Sequence, residues 1–265
     1  MKSRILVSVV GVPLLLYVVL FAPEWVTAVA LAILSGIAAG ELLECVGLLK
    51  ESRFLSRITV YAAVWTPLCA AFLPQWRGLS LLIYYLLAFA VAVYRAGEIK
   101  FAQLMAALFG GLLIPYSFSA FLLVEAAGHR GYLLLPFIFS FGSDTCAFFA
   151  GNAFGRHKLA PRVSPHKTVE GAVGGLLGDL VLAIGFVYVM NRYFSQSLHY
   201  GGMAVIGVVC SAIAQLGDLT FSLIKREFGI KDYGHIFLAH GGVLDRFDSV
   251  LFVAPAMALI LPHLM

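Results

Sequence analysis

The chain has 265 residues, of which 61% are hydrophobic and only 12% charged, with a formal net charge of +4 at pH 7. Soluble domains carry about 25% charged residues, so this composition excludes an ordinary soluble protein. A helix needs about 20 apolar residues to cross a bilayer, and the chain contains many apolar runs of that length. The composition therefore predicts a polytopic bundle of membrane helices.

Nine apolar segments follow one another with short connections. We predict membrane-spanning helices at roughly residues 4–22, 25–46, 58–74, 78–94, 101–125, 132–154, 171–190, 201–224 and 246–264. The first segment has a basic start and is similar to a signal peptide. Because no small-residue cleavage site follows it, we expect a retained span.

The distribution of basic residues orients this bundle. Cytoplasmic loops of membrane proteins are enriched in lysine and arginine. With nine spans, 15 of the 18 Lys and Arg residues fall on the side of the N-terminus. The other side holds only Arg77, Arg130 and Arg192. We therefore expect the N-terminus in the cytoplasm, the C-terminus outside, and the charge-rich segment 222–248 facing the cytoplasm.

Several carboxylates lie inside the predicted helices, where an ionised group is costly unless it is paired or hydrated. Glu41 and Glu44 share one face of the second helix. Either salt bridges with Lys50 and Arg53 or a role in substrate entry would explain them. The last four helices carry five aspartates, which are Asp144, Asp179, Asp218, Asp245 and Asp248. This concentration favours a shared polar cavity over five separate ion pairs, although Asp179 lies deeper than the other four.

The aspartates predict a metal site. Acids without a Cys/His cluster suit a hard cation, so Mg²⁺ is expected rather than Zn²⁺. Asp245 and Asp248 share a helix face at spacing i, i+3, and Asp218 from the preceding helix is placed to bind the same cation. The Gly241–Gly242 pair lets the backbone approach a ligand closely and leads into a helix N-terminus, which favours phosphate binding.

Basic residues accompany these acids. The cations that can neutralise phosphate charge are Lys225, Arg226, Lys231 and Arg246. A second basic loop, ahead of the seventh helix, adds the hydroxyls of Ser164 and Thr168, and Thr168 is expected to cap that helix. Such a site indicates phosphoryl or nucleotidyl transfer between a cytoplasmic polyphosphate and a membrane lipid.

Other ligand classes are less well supported. The chain has no GxxxxGK[ST] P-loop, and its weak aromatic pattern argues against nucleic acid as a partner. His240, beside Gly241, suits a phosphate donor, a proton shuttle or a structural hydrogen-bonding group. We favour a ligand or structural role over a general base, because a phosphate monoester is already an anion near neutral pH.

At this point the motifs resemble those of the phosphatidate cytidylyltransferases, also called CDP-diglyceride synthetases. The main pattern is Ser222-x2-Lys225-Arg226-x4-Lys231-Asp232-x-Gly234-x5-His240-Gly241-Gly242-x2-Asp245-Arg246-x-Asp248. The Ser143-Asp144 pair and the loop Ser164-Pro165-x-Lys167-Thr168-x-Glu170-Gly171 are also similar to that family. The motifs cover residues 143–248, whereas the first five helices match only in hydropathy and length. One departure is Leu238, followed by Ala239, where the family usually has Pro or Gly.

The resemblance implies that CTP and phosphatidic acid react to give CDP-diacylglycerol and pyrophosphate, in support of phospholipid biosynthesis. It also implies Mg²⁺, a second monovalent cation (K⁺), and a homodimer in the bacterial cytoplasmic (inner) membrane, with the active site facing the cytoplasm. Residues 1–130 are then a lipid-facing scaffold of five helices, and residues 131–265 carry the catalytic motifs on the other four.

The resemblance also implies roles for individual residues. The metal ligands would be Asp218 and Asp245, followed by Asp144 and Asp248. The phosphates of CTP or the lipid would meet Lys225, Arg226, Lys231, Lys167 and Arg246. The nucleotide pocket would include Ser164, Thr168, Glu170, Asp232, His240, Gly241 and Gly242.

Two other functions remain open on sequence alone. A CTP-dependent lipid kinase would use related chemistry but transfer the γ-phosphate. An ion or anion transporter with buried carboxylates is a different class, and the absence of evident inverted repeats argues against it. A CDP-alcohol phosphotransferase is disfavoured because its D-G-x2-A-R-x8-G-x3-D-x3-D pattern does not occur.

Overall fold

The computed structural model describes residues 2–126, 128–236 and 241–263, without the side chains of residues 2–10 and 12. Within these residues, seven helical segments are long and apolar enough to cross a membrane. They are Glu24–Cys45, Arg53–Phe72, Pro74–Tyr94, Phe101–Ala126, Arg130–Phe154, Val169–Tyr193 and Tyr200–Glu227. The prediction of an all-α polytopic membrane protein is confirmed.

The chain folds as a series of α-helices joined by short turns. They are α1 (Lys2–Phe21), α2 (Glu24–Cys45), α3 (Leu48–Glu51), α4 (Arg53–Phe72), α5 (Arg77–Tyr94), α6 (Phe101–Leu108), α7 (Ile114–Ala126), α8 (Leu135–Phe154), α9 (Val169–Tyr193), α10 (Tyr200–Glu227) and α11 (Leu244–Ile260). Short 3₁₀ turns at Pro74–Trp76, Arg130–Leu134 and Leu261–His263 lead into or continue these helices.

The seven candidate spans coincide with the second to eighth predicted segments. Helices α1 and α11 occupy the positions of the first and ninth. The number of crossings and the orientation of the termini stay predictions. Contacts divide the chain into two compact units, one formed by Met1–Leu122 with Glu227–Phe247 and the other by Leu123–Arg226 with Asp248–Met265.

In the first unit, α2, α4, α5 and α6 surround an apolar core. The buried core residues are Leu43, Leu48, Leu55, Tyr84, Ala88, Leu104 and Ala107. The chain between α6 and α7 widens into a π-helical turn, Phe109–Leu113, that contains two glycines. The Tyr84 ring lies against Gly111, where a Cβ atom would overlap it. The Tyr84 hydroxyl donates a hydrogen bond to the Ala107 carbonyl oxygen at 2.7 Å, which ties α5 to α6 just ahead of this turn.

In the second unit, small residues bring α8 and α9 into close contact. Gly174 lies against Ala150, and Gly178 lies against Cys146. Small residues at such spacings let membrane helices approach closely, because lipid supplies no hydrophobic force between them. Gly217 in α10 similarly meets the Asp248 backbone and Phe252 of α11. This close packing fixes the positions of the polar side chains that these helices carry.

A short antiparallel hairpin was not predicted. Strands β1 (Lys158–Ala160) and β2 (Ser164–Thr168) pair with Lys158 opposite Thr168 and Ala160 opposite Ser164. The basic loop ahead of α9 is therefore an ordered ribbon. Thr168 ends it as the N-cap of α9, since its Oγ1 accepts a hydrogen bond from the Gly171 N–H at 3.1 Å. The predicted capping role of Thr168 is confirmed.

Candidate active site

The charged residues of the predicted site fall into two groups, one in each compact unit. In the second unit, the ammonium of Lys167 on β2 forms an ion pair with the carboxylate of Asp218 on α10. The Lys167 and Asp218 side chains are 28% and 19% exposed, so the ion pair is only partly open to solvent. The Ser222 hydroxyl, one turn further along α10, donates to Asp218 Oδ1 at 3.3 Å.

Further carboxylates act on Lys167. Burial lowers the pKa of the Lys167 ammonium below its usual range, and the negative charges of Asp144 and Asp248 oppose that shift. Lys225 in turn interacts with Asp248. A cluster of Asp144, Lys167, Asp218, Lys225 and Asp248 therefore combines three carboxylates with two ammonium groups. We call it the lysine–aspartate cluster.

The hairpin that carries Lys167 is fastened at its base. The Glu170 carboxylate accepts hydrogen bonds from the backbone N–H groups of Arg156 at 3.1 Å and His157 at 3.2 Å. It also lies 2.6 Å from Nδ1 of His157. Glu170 thus joins the first turn of α9 to the chain entering β1. Its observed contacts are structural, and contact with a nucleotide stays a prediction.

A basic residue fastens the tip of the hairpin. Arg226 in the last turn of α10 donates from Nε to the Val163 carbonyl oxygen at 3.3 Å. Its side chain is otherwise exposed, which leaves the rest of the guanidinium accessible to a ligand. Ser164 follows directly in β2, opposite Ala160. The hairpin is therefore held to α9 by Glu170 and to α10 by Arg226.

A network of polar residues holds α8, α9 and α10 together, and of its side chains only Ser143 belonged to a predicted motif. The Gln215 side chain on α10 donates to the Ala172 carbonyl oxygen at 3.1 Å and to Ser143 Oγ at 3.3 Å. The Ser143 and Ser211 hydroxyls share a hydrogen bond of 2.8 Å. Because Asp144 follows Ser143 and Asp218 lies three residues after Gln215, this network positions two members of the lysine–aspartate cluster. The glutamine within an apolar helix was the signal for it.

Asp179 is the fifth aspartate and lies near the middle of α9. It is fully buried, and neither carboxylate oxygen has a hydrogen-bond partner within the described residues. The helices approach so closely around it that a Cβ atom at Gly142 or Gly207 would collide with its side chain or backbone. A place for Asp179 in the predicted polar cavity stays a prediction.

In the first unit, Asp245 organises the loop ahead of α11. Its Oδ2 accepts hydrogen bonds from the Tyr233 N–H at 2.7 Å and the Gly242 N–H at 2.9 Å. Gly241 has a φ of +80°, a left-handed conformation that favours glycine. The Asp245 carboxylate thus fixes the two ends of the segment from Tyr233 to Gly242. A metal-binding role for Asp245 stays a prediction beside this observed one.

Glu41 was not included among the predicted site residues, but it contacts the same region. Its carboxylate accepts hydrogen bonds from the N–H groups of Val243 and Leu244, each at 2.9 Å. Glu41 is only 6% exposed, whereas Glu44 is exposed. A carboxylate at this position satisfies unpaired N–H groups and complements the positive end of the α11 dipole. Within the described residues Glu41 forms no ion pair, so the salt-bridge interpretation is wrong for it.

The structure does not gather every predicted residue. Lys231 and Asp232 lie exposed in the loop after α10, and Arg246 is exposed in the first turn of α11. Predicted site residue His240, together with Leu238 and Ala239, lies outside the described residues. The predicted residues that the structure does bring together are the five members of the lysine–aspartate cluster, of which Asp248 lies on α11.

The donor atoms of the lysine–aspartate cluster can be compared with what Mg²⁺ requires. No three His, Cys, Asp or Glu side chains form a ready metal cage among residues 2–126, 128–236 and 241–263. The donor chemistry nevertheless fits, because Asp144, Asp218 and Asp248 offer only oxygen ligands, and Lys167, which pairs with Asp218, also feels the negative charges of the other two. Oxygen-only carboxylate sites are suited to Mg²⁺.

Comparison with known proteins places this geometry in a family. Residues 2–264 match the Cytidylyltransferase family, so the chain belongs to that family. It is 46% identical over 123 residues to a phosphatidate cytidylyltransferase of Haemophilus influenzae, covering 46% of this chain and 43% of the relative. With a phosphatidate cytidylyltransferase of Staphylococcus saprophyticus it shares 42% identity over 130 residues, covering 49% of this chain and 48% of the relative.

A longer match supports the same relationship. A phosphatidate cytidylyltransferase of Staphylococcus epidermidis is 34% identical over 187 residues, covering 71% of this chain and 69% of the relative. The first two matches span slightly less than half the length of the curated relatives. The resemblance seen in the motifs is confirmed at the level of the family.

Proposed function

We propose that this chain transfers CMP from CTP to phosphatidic acid, giving CDP-diacylglycerol and pyrophosphate. Its relatives carry the name phosphatidate cytidylyltransferase. The observation that carries the proposal is the ion pair of Lys167 with Asp218, beside the carboxylates of Asp144 and Asp248. Such a concentration of charge among apolar helices suits a polyphosphate reacting with a lipid head group.

The reaction balances without a redox step. An oxygen of the lipid phosphate forms a bond to the α-phosphorus of CTP. The bond from that phosphorus to the oxygen bridging to the β-phosphorus breaks, and pyrophosphate leaves with the electron pair. The nucleophile is an anion near neutral pH, so the site needs charge neutralisation and positioning more than a strong base.

The chain's own cations supply much of that neutralisation. Lys167 is held on an ordered hairpin, and Lys225 and Arg226 lie in the last turn of α10. We propose that these three groups contact CTP or lipid phosphates. The bond from Arg226 to the Val163 carbonyl oxygen keeps one side of the guanidinium fixed and leaves its other N–H groups for a ligand.

We propose that Asp144, Asp218 and Asp248 hold Mg²⁺, which when bound neutralises negative charge on the polyphosphate. Asp245 remains a candidate ligand, with its Oδ2 already engaged by two backbone N–H groups. A second, monovalent cation such as K⁺ is part of the same proposal and rests on the resemblance alone. Lys231, Asp232, Arg246, His240 and the Gly241–Gly242 pair stay predicted contacts.

We further propose a homodimer in the bacterial inner membrane, with the lysine–aspartate cluster facing the cytoplasm. Support for the membrane comes from the seven apolar helical segments. Support for the orientation comes from the positive-inside distribution of Lys and Arg. Glycine-mediated contacts in α8 and α9 are used within this chain, so they offer no support for a particular dimer interface.

The decisive experiment uses the purified full chain in mixed micelles with phosphatidic acid, Mg²⁺ and CTP labelled at either the α- or the γ-phosphate. The expected result is lipid labelling from α-labelled CTP alone, with pyrophosphate released in equal amount. EDTA should stop it, and excess Mg²⁺ should restore it. Labelling from γ-labelled CTP would instead identify a lipid kinase.

Two controls separate CMP transfer from phosphorylation of a neutral lipid and from solute transport. Diacylglycerol, which lacks the attacking phosphate, should accept no label. Sealed vesicles containing the protein should show no solute flux that continues without CTP consumption. Flux of that kind, together with an absence of labelled lipid, would favour a transporter.

A further inference from the structure

A cavity of about 420 Å³ opens at the start of α4 in the first unit. It is lined by Leu49, Arg53, Ser56, Arg57, Val60 and Tyr61. Its volume falls within the range of about 300–1,000 Å³ that is typical of small-molecule sites. None of its residues is among those predicted to act on CTP. We refer to it as the α4 cavity.

The α4 cavity contains two cations without a protein counter-ion. Arg53 and Arg57 are four residues apart on α4, so their side chains share one face of the helix. Both are exposed, and neither forms an ion pair with any residue in the described ranges. Arg95 and Arg130, by contrast, pair with Glu98 and Glu125. Two adjacent guanidinium groups are suited to bidentate recognition of a phosphate.

The rest of the cavity is mainly apolar. Leu49 and Val60 contribute aliphatic surface, and the Tyr61 ring is 72% exposed. The Ser56 hydroxyl donates within the helix region, lying 2.9 Å from the Ser52 carbonyl oxygen and 3.1 Å from the Leu48 carbonyl oxygen. The Ser56 hydroxyl is therefore not available as a donor to a ligand. The cavity combines two phosphate-binding cations with a mainly apolar lining. A ligand that fills it must be amphipathic.

The position of the cavity identifies the source of such a ligand. Arg53 begins a helix that is long and apolar enough to cross a membrane. The first turns of a membrane helix lie at the depth of the lipid head groups, where basic and aromatic side chains are concentrated. A soluble phosphate or nucleotide would leave the aliphatic wall exposed to water. A phospholipid would cover that wall with its acyl chain.

We propose that the α4 cavity binds an anionic phospholipid, with the lipid phosphate on Arg53 and Arg57 and an acyl chain along Val60 and Tyr61. This site is additional to the proposed reaction and does not depend on it. Binding would anchor α4 and the adjoining α2–α3 corner to a specific lipid. It would make the stability of the first unit sensitive to the anionic lipid content of the membrane.

The test measures lipid retention by native mass spectrometry of delipidated protein in a neutral detergent. Phosphatidylglycerol, phosphatidylserine and phosphatidylcholine are titrated separately, and phosphatidic acid is left out because it is the proposed substrate of the lysine–aspartate cluster. We expect the wild type to retain the two anionic lipids at least tenfold more strongly than phosphatidylcholine. The double variant R53A/R57A should lose that preference, while R53K/R57K should keep part of it. Equal binding by R53A/R57A and wild type would overturn the proposal.

Controls separate the cavity from general charge and from loss of folding. The variant K158A/R192A removes the same charge elsewhere and should retain anionic lipid like the wild type. Val60→Trp keeps both arginines but fills the cavity, and it should also weaken retention by about tenfold. Each variant is checked by circular dichroism and gel filtration. Unchanged retention in a folded Val60→Trp protein would count against the cavity.

A competition arm distinguishes the source of the phosphate. Inorganic phosphate and glycerol 3-phosphate are added to protein loaded with phosphatidylglycerol. The lipid should resist displacement at concentrations of soluble phosphate a hundredfold above its own. Ready displacement by either soluble compound would show that the site takes free phosphate, and would refute the lipid assignment.

Discussion

The Glu41 carboxylate accepts a hydrogen bond from the Val243 N–H at 2.9 Å, although the two residues are 202 positions apart in the chain. A second bond from the Leu244 N–H, also at 2.9 Å, completes the cap on α11. Asp245 follows directly and binds the loop through its own carboxylate. One buried glutamate on α2 therefore sets the start of the helix that carries two predicted metal ligands.

Replacing Glu41 should loosen this cap. Glu41→Ala leaves two buried N–H groups without an acceptor, and each such loss costs about 1–3 kcal/mol. Glu41→Gln keeps one acceptor oxygen and should fall between alanine and the wild type. The unfolding temperature in detergent and the rate of CDP-lipid formation should both decrease from the wild type to Glu41→Gln and further to Glu41→Ala. Glu44→Gln, at the exposed neighbour, should change stability by less than about 0.5 kcal/mol. Equal effects of Glu41→Gln and Glu44→Gln would contradict the capping role.

Substitution of Asp245 can separate loop organisation from metal binding. Asp245→Asn keeps a carbonyl oxygen where Oδ2 accepts from Tyr233 and Gly242, so the loop should remain folded. A metal ligand would nevertheless be lost, and Mg²⁺-dependent CDP-lipid formation should fall by a factor of about 100 or more. Asp245→Ala should lose both activity and about 2 kcal/mol of stability. Near-normal turnover by Asp245→Asn would leave Asp245 with the loop role alone.

The sequence predicted the helical membrane architecture because that signal is local. Every span needs a long apolar run, so composition and periodicity are sufficient to find it. The capping of α9 by Thr168 was predictable for the same reason, since a cap and its N–H partner lie within one turn. The hairpin of β1 and β2 was missed because its strands have only three and five residues. Segments that short carry almost no periodic signal.

The candidate site was predictable only in residue type. Asp144, Asp218 and Asp248 were selected because charge is rare in apolar helices, and Lys167 was selected because its loop resembles the family motif. Which of them meet depends on long-range packing, and the Lys167–Asp218 ion pair joins residues 51 positions apart. Glu41 was seen in the sequence, but nothing local indicated that its partners were backbone groups of α11. Any residue other than proline can offer a backbone N–H group, so the sequence does not show which residues will pair with Glu41.

Removal of Lys167 should have opposite effects on turnover and on metal binding. Lys167→Met takes a cation from the proposed phosphate site, so kcat should fall and KM for CTP should rise, with kcat/KM lower by a factor of about 100. The same change removes a positive charge that acts on Asp144, Asp218 and Asp248, so Mn²⁺, used as a paramagnetic probe, should bind more tightly. Lys158→Met, on the exposed neighbouring strand, is the matched control. A Lys167→Met protein with unchanged KM would exclude contact with CTP.

The α8–α9 contact offers a matched pair of glycines on one helix. A Cβ atom at Gly178 would overlap both Cβ and Sγ of Cys146, whereas Gly185 has no neighbour within 4 Å. Gly178→Ala should therefore destabilise the protein by about 1–3 kcal/mol, the usual cost of overpacking. Gly185→Ala should be neutral or slightly stabilising, since alanine favours helix over glycine by about 1 kcal/mol.

A second substitution tests whether the cost at Gly178 arises from Cys146. Cys146→Gly removes the atoms that a new Cβ would strike, so the double variant Gly178→Ala with Cys146→Gly should be more stable than the sum of its single changes predicts. Contacting residues commonly show coupling of about 0.5–3 kcal/mol in such a cycle. The cycle is measured by thermal unfolding of the purified chain in one detergent. Strict additivity would mean that α8 and α9 do not meet at this point.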